Sequence, residues 1–148
     1  MTDEDLLTLY AELMEHLRDR GLIRSSNNPV ADYAERVAVE RMKLKRAGKE
    51  ERGFDATDRG RNKYQVKGRR LTRHNQSRQL GVIRNLDEHL FDYLVAVIFG
   101  EHFEVLEIWS VPYNFVREHA RWSKQQNGHI LQARQELFMS DKRVKRMA

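Results

Sequence analysis

One stretch constrains the fold more than any other: Gly53-Phe54-Asp55-Ala56-Thr57-Asp58-Arg59-Gly60-Arg61-Asn62-Lys63-Tyr64-Gln65-Val66-Lys67. Asp58 to Asn62 carry turn chemistry between two short alternating runs, which predicts a β-hairpin. With the turn centred on Gly60, Phe54 faces Val66, Ala56 faces Tyr64, Asp55 faces Gln65 and Gly53 faces Lys67. Side chains alternate between the two faces of a strand, so a slip of one residue would scramble them. In this register Phe54, Ala56, Tyr64 and Val66 share an apolar face able to pack a core. Asp55, Gln65 and Lys67 share the other.

Oxygen ligands gathered in this way suit a hard divalent cation, and an ammonium beside them suits a phosphate. Upstream, Val30, Tyr33, Ala34, Val37 and Ala38 recur at helical spacing, after Asn28 as N-cap and Pro29 at the first helical position. Glu35 and Asp32 lie to the side of that stripe.

Asp55, the triplet Gln65-Val66-Lys67 and the helix acid Glu35 together resemble the PD-(D/E)xK nuclease superfamily. The likeness is to its QxK form, found among Mrr-like restriction endonucleases, and covers roughly residues 29 to 112. It implies a restriction-endonuclease-like fold and metal-dependent phosphodiester hydrolysis leaving a 5′-phosphate and a 3′-hydroxyl. The implied catalytic set is Glu35, Asp55, Gln65 and Lys67. Mg²⁺ or Mn²⁺ would be held by Asp55, Gln65, the Val66 backbone carbonyl and Glu35, with Asp32 in reserve. Lys67 would orient or activate the attacking water and stabilise charge on the phosphoryl oxygens. Gln65 departs from the commoner acid and brings no charge, so weaker metal binding, or reliance on the substrate phosphate, is expected. Phe54 stands where the motif name has Pro.

Charge is concentrated around this stretch. Between Arg41 and Arg84 lie fifteen Lys and Arg against four acids, Glu50, Glu51, Asp55 and Asp58, an excess of eleven when the whole chain carries only +5. That is the footprint of phosphate-backbone binding. Arg69, Arg70, Arg73, His74, Asn75 and Arg78, directly after the hairpin, are the candidate nucleic-acid contacts. DNA is the expected partner. A homodimer is a further expectation, because a small nuclease that cuts both strands needs two centres. Two alternatives stay open: an inactive nucleic-acid-binding module of the same fold, and a basic protein-interaction domain. Salt-sensitive DNA binding separates the first two readings from the last, and metal-dependent cleavage separates the nuclease from the module.

The remaining chain predicts an α/β (α+β) architecture, a mixed central sheet of about four strands flanked by helices in one domain over residues 1–148. Leu6, Leu9, Tyr10, Leu13 and Leu17 mark an amphipathic helix over 3–20, capped by Thr2 with Asp5, whose expected role is to cover the core. Phe91–Phe99 and Phe103–Val111 read as a hairpin about Gly100-Glu101-His102, with the run from Tyr93 a central strand and Trp109 in the core. The interrupting acids Asp92 and Glu107 suit strand ends and exposed faces. Helices are expected over 113–122 and 130–138 within a C-terminal helical region ending near 140, then a mobile basic tail over 142–146. The absence of cysteine excludes disulfides and a Cys nucleophile. The six histidines show no ligand spacing for zinc. No signal-peptide pattern or membrane-length apolar run is present, and a cytoplasmic protein is the expectation.

Overall fold

The computed structural model of the chain describes residues 1–25, 28–48 and 50–148. Ser26 and Asn27, within the loop expected before the second helix, and Lys49 of the basic run lie outside the described residues. Two helices open the chain, α1 (Asp3–Asp19) and α2 (Val30–Met42). They are followed by β1 (Lys45–Arg46), β2 (Ala56–Thr57), β3 (Lys63–Arg70), β4 (Tyr93–Phe99) and β5 (Val105–Pro112). Then come α3 (Tyr113–His119), β6 (Arg121–Ser123), β7 (Gly128–Ile130), α4 (Gln135–Met139) and β8 (Lys145–Arg146). The main sheet has six strands in the order β1-β2-β3-β4-β5-β8, and β3 runs parallel to β4 while every other neighbouring pair is antiparallel. It is a mixed sheet flanked by helices, as the sequence predicts, with short strands added at both edges.

β4 explains why the sheet is covered on both sides. Leu94, Ala96 and Ile98 join one cluster with Trp109, Phe115 and Phe138, while Val95, Val97 and Phe99 join another with Val66 and the α2 residues Ala34, Val37 and Ala38. All six β4 side chains are fully buried. Each of the larger ones stabilises the fold by about 1.5–3 kcal/mol. α2 reaches the sheet through Gly68, where a Cβ would come within 2.7 Å of the Ala34 Cβ. That close approach sets the helix, and hence Glu35, over β3. The helix starts one residue later than expected: Pro29 is the N-cap, without a side-chain cap bond, and Asn28 Oδ1 accepts the Val30 N–H at 3.0 Å in the turn before it.

Four expectations need correction. The first hairpin holds the predicted register at Ala56–Tyr64 and Thr57–Lys63 and then breaks. Gly53, at φ +86° and pressed against Leu90, turns the chain over, so Phe54 packs with the cluster opposite Val66. Residues 113–140 are less helical than expected: α3 stops at His119, and β6 and β7 form a hairpin over 121–130. The four-residue loop 124–127 joins them, closed by Asn127 at φ +52°. The basic tail is an edge strand, Arg146 facing Trp109 and Lys145 facing Ser110, anchored by buried Val144. Finally, α1 leaves most of its apolar stripe in solvent instead of covering the core. No helix among the described residues is long and apolar enough to cross a membrane.

A parallel β3–β4 pair needs a long crossover. Residues 71–92 supply one without an α-helix, and its backbone is pinned to the 129–133 segment. Leu80 N–H donates to Leu131, Ala133 N–H to Arg78, and Ile83 exchanges both bonds with His129. This loop passes over the face of β3 that carries Lys67.

Candidate active site

Asp55 immediately precedes β2, and three hydrogen bonds fix it. Its N–H donates to the Tyr64 carbonyl at 2.7 Å, its carbonyl accepts the Ala47 N–H at 2.9 Å, and its Oδ2 accepts the Val66 N–H at 2.7 Å. The carboxylate thus replaces the next rung of the ladder, so Asp55 does not face Gln65 directly as the ideal register predicts. A strand residue sends its N–H and C=O to the same edge, and the Val66 carbonyl therefore points toward Asp55 as well.

Gln65 and Lys67 project to one face of β3 by alternation. Gln65 Nε2 donates to the Gly53 carbonyl at 3.2 Å, which leaves Oε1 buried with no hydrogen-bond partner. A buried orphan acceptor costs about 1–3 kcal/mol, so something outside the chain belongs there. Lys67 Nζ donates to the Val82 carbonyl of the crossover at 2.9 Å. Glu35 approaches from α2, with Arg24 3.7 Å away.

These groups share one field. Burial raises the Asp55 carboxyl above its ordinary value, and this outweighs the Val66 N–H and the positive charges of Lys67, Arg24 and Arg46. Burial raises Glu35 too, Asp55 pushes it further, and Arg24 and Arg46 pull it back. The Lys67 ammonium is lowered by burial, with Asp55 opposing and Arg84 reinforcing that shift. Two partly desolvated acids, one partnerless amide oxygen and a backbone carbonyl form an oxygen-rich donor set that suits a hard divalent cation. No cluster of three or more His, Cys, Asp or Glu suited to a metal occurs among the described residues, so the amide and the carbonyl are needed to complete such a set.

A pH dependence follows. In the metal-free protein Glu35 binds its proton more tightly folded than unfolded, where its ordinary value is 4.5. Its contribution to stability is therefore greatest in acid and falls as pH rises through the raised folded value. Glu35→Gln removes that slope. Urea unfolding from pH 4 to 7 in chelator should show the variant gaining on the wild type as pH rises; a pH-independent difference would rule this out.

Asp32 is not a site residue. Its Oδ2 accepts from the Arg24 N–H, the Ser25 N–H and the Ser25 hydroxyl, which caps the turn before α2. The candidate nucleic-acid contacts divide in two. Arg78 is half-buried, bonding Glu107 at 2.5 Å and the Ala133 carbonyl at 2.6 Å. Arg70 commits two donors to the Glu101 carbonyl and stacks its guanidinium 4.8 Å over the Phe103 ring. Both are engaged by the fold, though Arg70 also lines the same cleft as Arg69 and Asn75. Arg69, which donates Nε to the Ser77 carbonyl, and Asn75, which closes a tight turn with Thr72, line a cleft of about 580 Å³. That cleft reaches Gly81, whose missing Cβ would lie 4.0 Å from Lys67 Nζ. Arg73 and His74 stay exposed at its rim, Arg73 lying 3.9 Å from Glu101. Arg24, and Arg46 of the basic run, neither of them an expected site residue, stand beside the acids; the Arg46 Nε is buried without a hydrogen-bond partner among the described residues. No protein-family model matches the chain, and no curated protein matches it.

Proposed function

We propose that this chain is a divalent-metal-dependent nuclease of the PD-(D/E)xK type in its QxK form, acting on DNA. The observation that carries the reading is the buried, partnerless Gln65 Oε1 beside Asp55, within a charge-coupled group that also holds Glu35 and Lys67. Asp55, Gln65 Oε1 and the Val66 carbonyl would hold Mg²⁺ or Mn²⁺, with Glu35 behind them. Such an ion supplies Lewis-acid stabilisation of the phosphoryl oxygens.

The chain's own groups do the rest. Lys67, held by the Val82 carbonyl and depressed by burial, orients the attacking water and balances negative charge as the water oxygen bonds to phosphorus. The attacking water gives up a proton to solvent, the bond from phosphorus to the 3′-oxygen breaks, and that oxygen takes a proton from solvent to leave as a hydroxyl. The 5′-phosphate stays on the other fragment. The cleft along Arg69 and Asn75 leads the backbone past Lys67, and the basic surface adds salt-sensitive affinity.

The test is cleavage of plasmid and single-stranded DNA with Mg²⁺, with Mn²⁺ and with chelator, comparing wild type and Lys67→Ala. Metal-dependent cutting, lowered about 10²–10⁴-fold in the variant, is expected. Salt-sensitive binding without cutting on any substrate would replace the nuclease with a binding module.

A further inference from the structure

Five exposed large apolar side chains, Leu6, Leu7, Leu9, Tyr10 and Leu13, gather on α1 and have no role in the site. Residues 1–13 are exposed throughout, and α1 meets the body only at its C-terminal end, through buried Met14 and half-buried Leu17. Leu6, Leu9, Tyr10 and Leu13 are 52, 52, 54 and 54% exposed. The helix is well started by a capping box, Thr2 and Asp5 bonding reciprocally at 3.1 and 2.9 Å. At 17 residues it is about 26 Å long, and such a helix is marginal in water without a packing surface.

We infer that α1 pairs antiparallel with α1 of a second copy of this chain. Leu6, Tyr10, Leu13 and Leu17 alternate at spacings of four and three, the seam of a two-stranded coiled coil. Antiparallel alignment about the centre of that seam layers Leu6 on Leu17 of the second copy and Tyr10 on its Leu13, twice by symmetry. The next seam positions outward are Asp3 and Arg20. The same alignment sets Asp3 against Arg20 of the second copy at both ends. Among the described residues neither side chain has a partner within its own chain. Parallel pairing would instead oppose Asp3 to Asp3 and Arg20 to Arg20. Antiparallel helices also oppose their macrodipoles favourably. A lipid surface fits poorly, because interfacial helices carry Lys and Arg on the polar face. Here Asp3, Glu4, Asp5, Glu12 and Glu15 crowd the exposed part. This inference is independent of the nuclease reading.

Two helices of this length bury less than the ~1,200 Å² of a tight complex, so association in the range of about 10–100 µM is expected. Sedimentation equilibrium of the full chain should show a monomer–dimer equilibrium that Leu13→Glu abolishes with unchanged thermal unfolding. Asp3→Arg or Arg20→Asp alone should weaken the dimer about 10-fold, and the double variant should restore it. The chain has no cysteine, so orientation is directly readable. Leu6→Cys mixed with Leu17→Cys should give a disulfide-linked dimer, and neither variant alone should. A monomer at 300 µM (roughly three times the upper end of the range above), a dimer indifferent to Leu13→Glu, or crosslinking of Leu6→Cys by itself would each overturn the proposal.

Discussion

Asp55→Asn is expected to lower metal-dependent cleavage about 10³-fold or more while leaving the protein folded and, without metal, no less stable than wild type. The substitution separates the two things the carboxylate does. Its structural task is to accept the Val66 N–H at 2.7 Å, and an amide oxygen of the same shape can still do that. Its chemical task requires charge, which the amide lacks. Burial already raises the Asp55 carboxyl, so the ionised form is held at a cost in the metal-free fold. Removing a strained charge relieves that cost, and activity and stability then move in opposite directions. A purely structural carboxylate would behave otherwise, losing stability along with its charge-assisted bond. Cleavage rates in Mn²⁺ and urea unfolding in chelator read the two effects separately. Cutting within about tenfold of wild type, or a loss of stability above about 1 kcal/mol, would remove Asp55 from the centre.

What the sequence revealed of this arrangement, and what it hid, follows the range of the interactions. The hairpin register at Ala56–Tyr64, the α2 stripe and the buried alternation of β4 are local periodicities, readable from neighbouring residues. Asp55, Gln65 and Lys67 could be selected because the hairpin register implied a shared patch, and Glu35 through the resemblance to the nuclease superfamily. The parallel pairing of β3 with β4 could not be read, since it depends on an irregular crossover held by the distant 129–133 segment. Nor could the fate of single arginines. Arg69, Arg70 and Arg78 look alike in a basic run, yet Arg69 and Arg70 line a cleft, Arg70 also clamps the 100–104 turn, and half-buried Arg78 pairs with a buried carboxylate. Glu107, expected at a strand end or on an exposed face, is instead buried mid-strand, and for the same reason: its partners lie 29 and 28 residues away in Arg78 and Gln135.

Glu107 carries the second large expected effect. Glu107→Ala should destabilise the protein by about 3–5 kcal/mol, which for a domain of this size lowers the melting temperature by roughly 10–15 °C. The residue is 4% exposed and its carboxylate accepts three hydrogen bonds. Oε1 accepts Arg78 Nη2 at 2.5 Å and Trp109 Nε1 at 2.7 Å, and Oε2 accepts Gln135 Nε2 at 2.9 Å. Deleting it leaves a half-buried guanidinium without its carboxylate and orphans the Trp109 indole N–H in the interior, where the loss is penalised in full. The pair itself is worth far less, since burying two charges offsets most of their attraction. Arg78→Leu combined with Glu107→Leu should therefore cost less than the sum of the single changes, by more than about 1 kcal/mol of coupling. The same carboxylate ties β5 to Arg78, and Arg78 bonds the 133 backbone in both directions, through its Nε and through its carbonyl. Those bonds seat the crossover whose Val82 carbonyl positions Lys67. Variants that remain folded at low temperature should accordingly lose cleavage along with stability. Thermal unfolding with a double-mutant cycle decides the energetic part; a Glu107→Ala loss below about 1 kcal/mol would show that the network is solvated and that Arg78 is free for the DNA backbone after all.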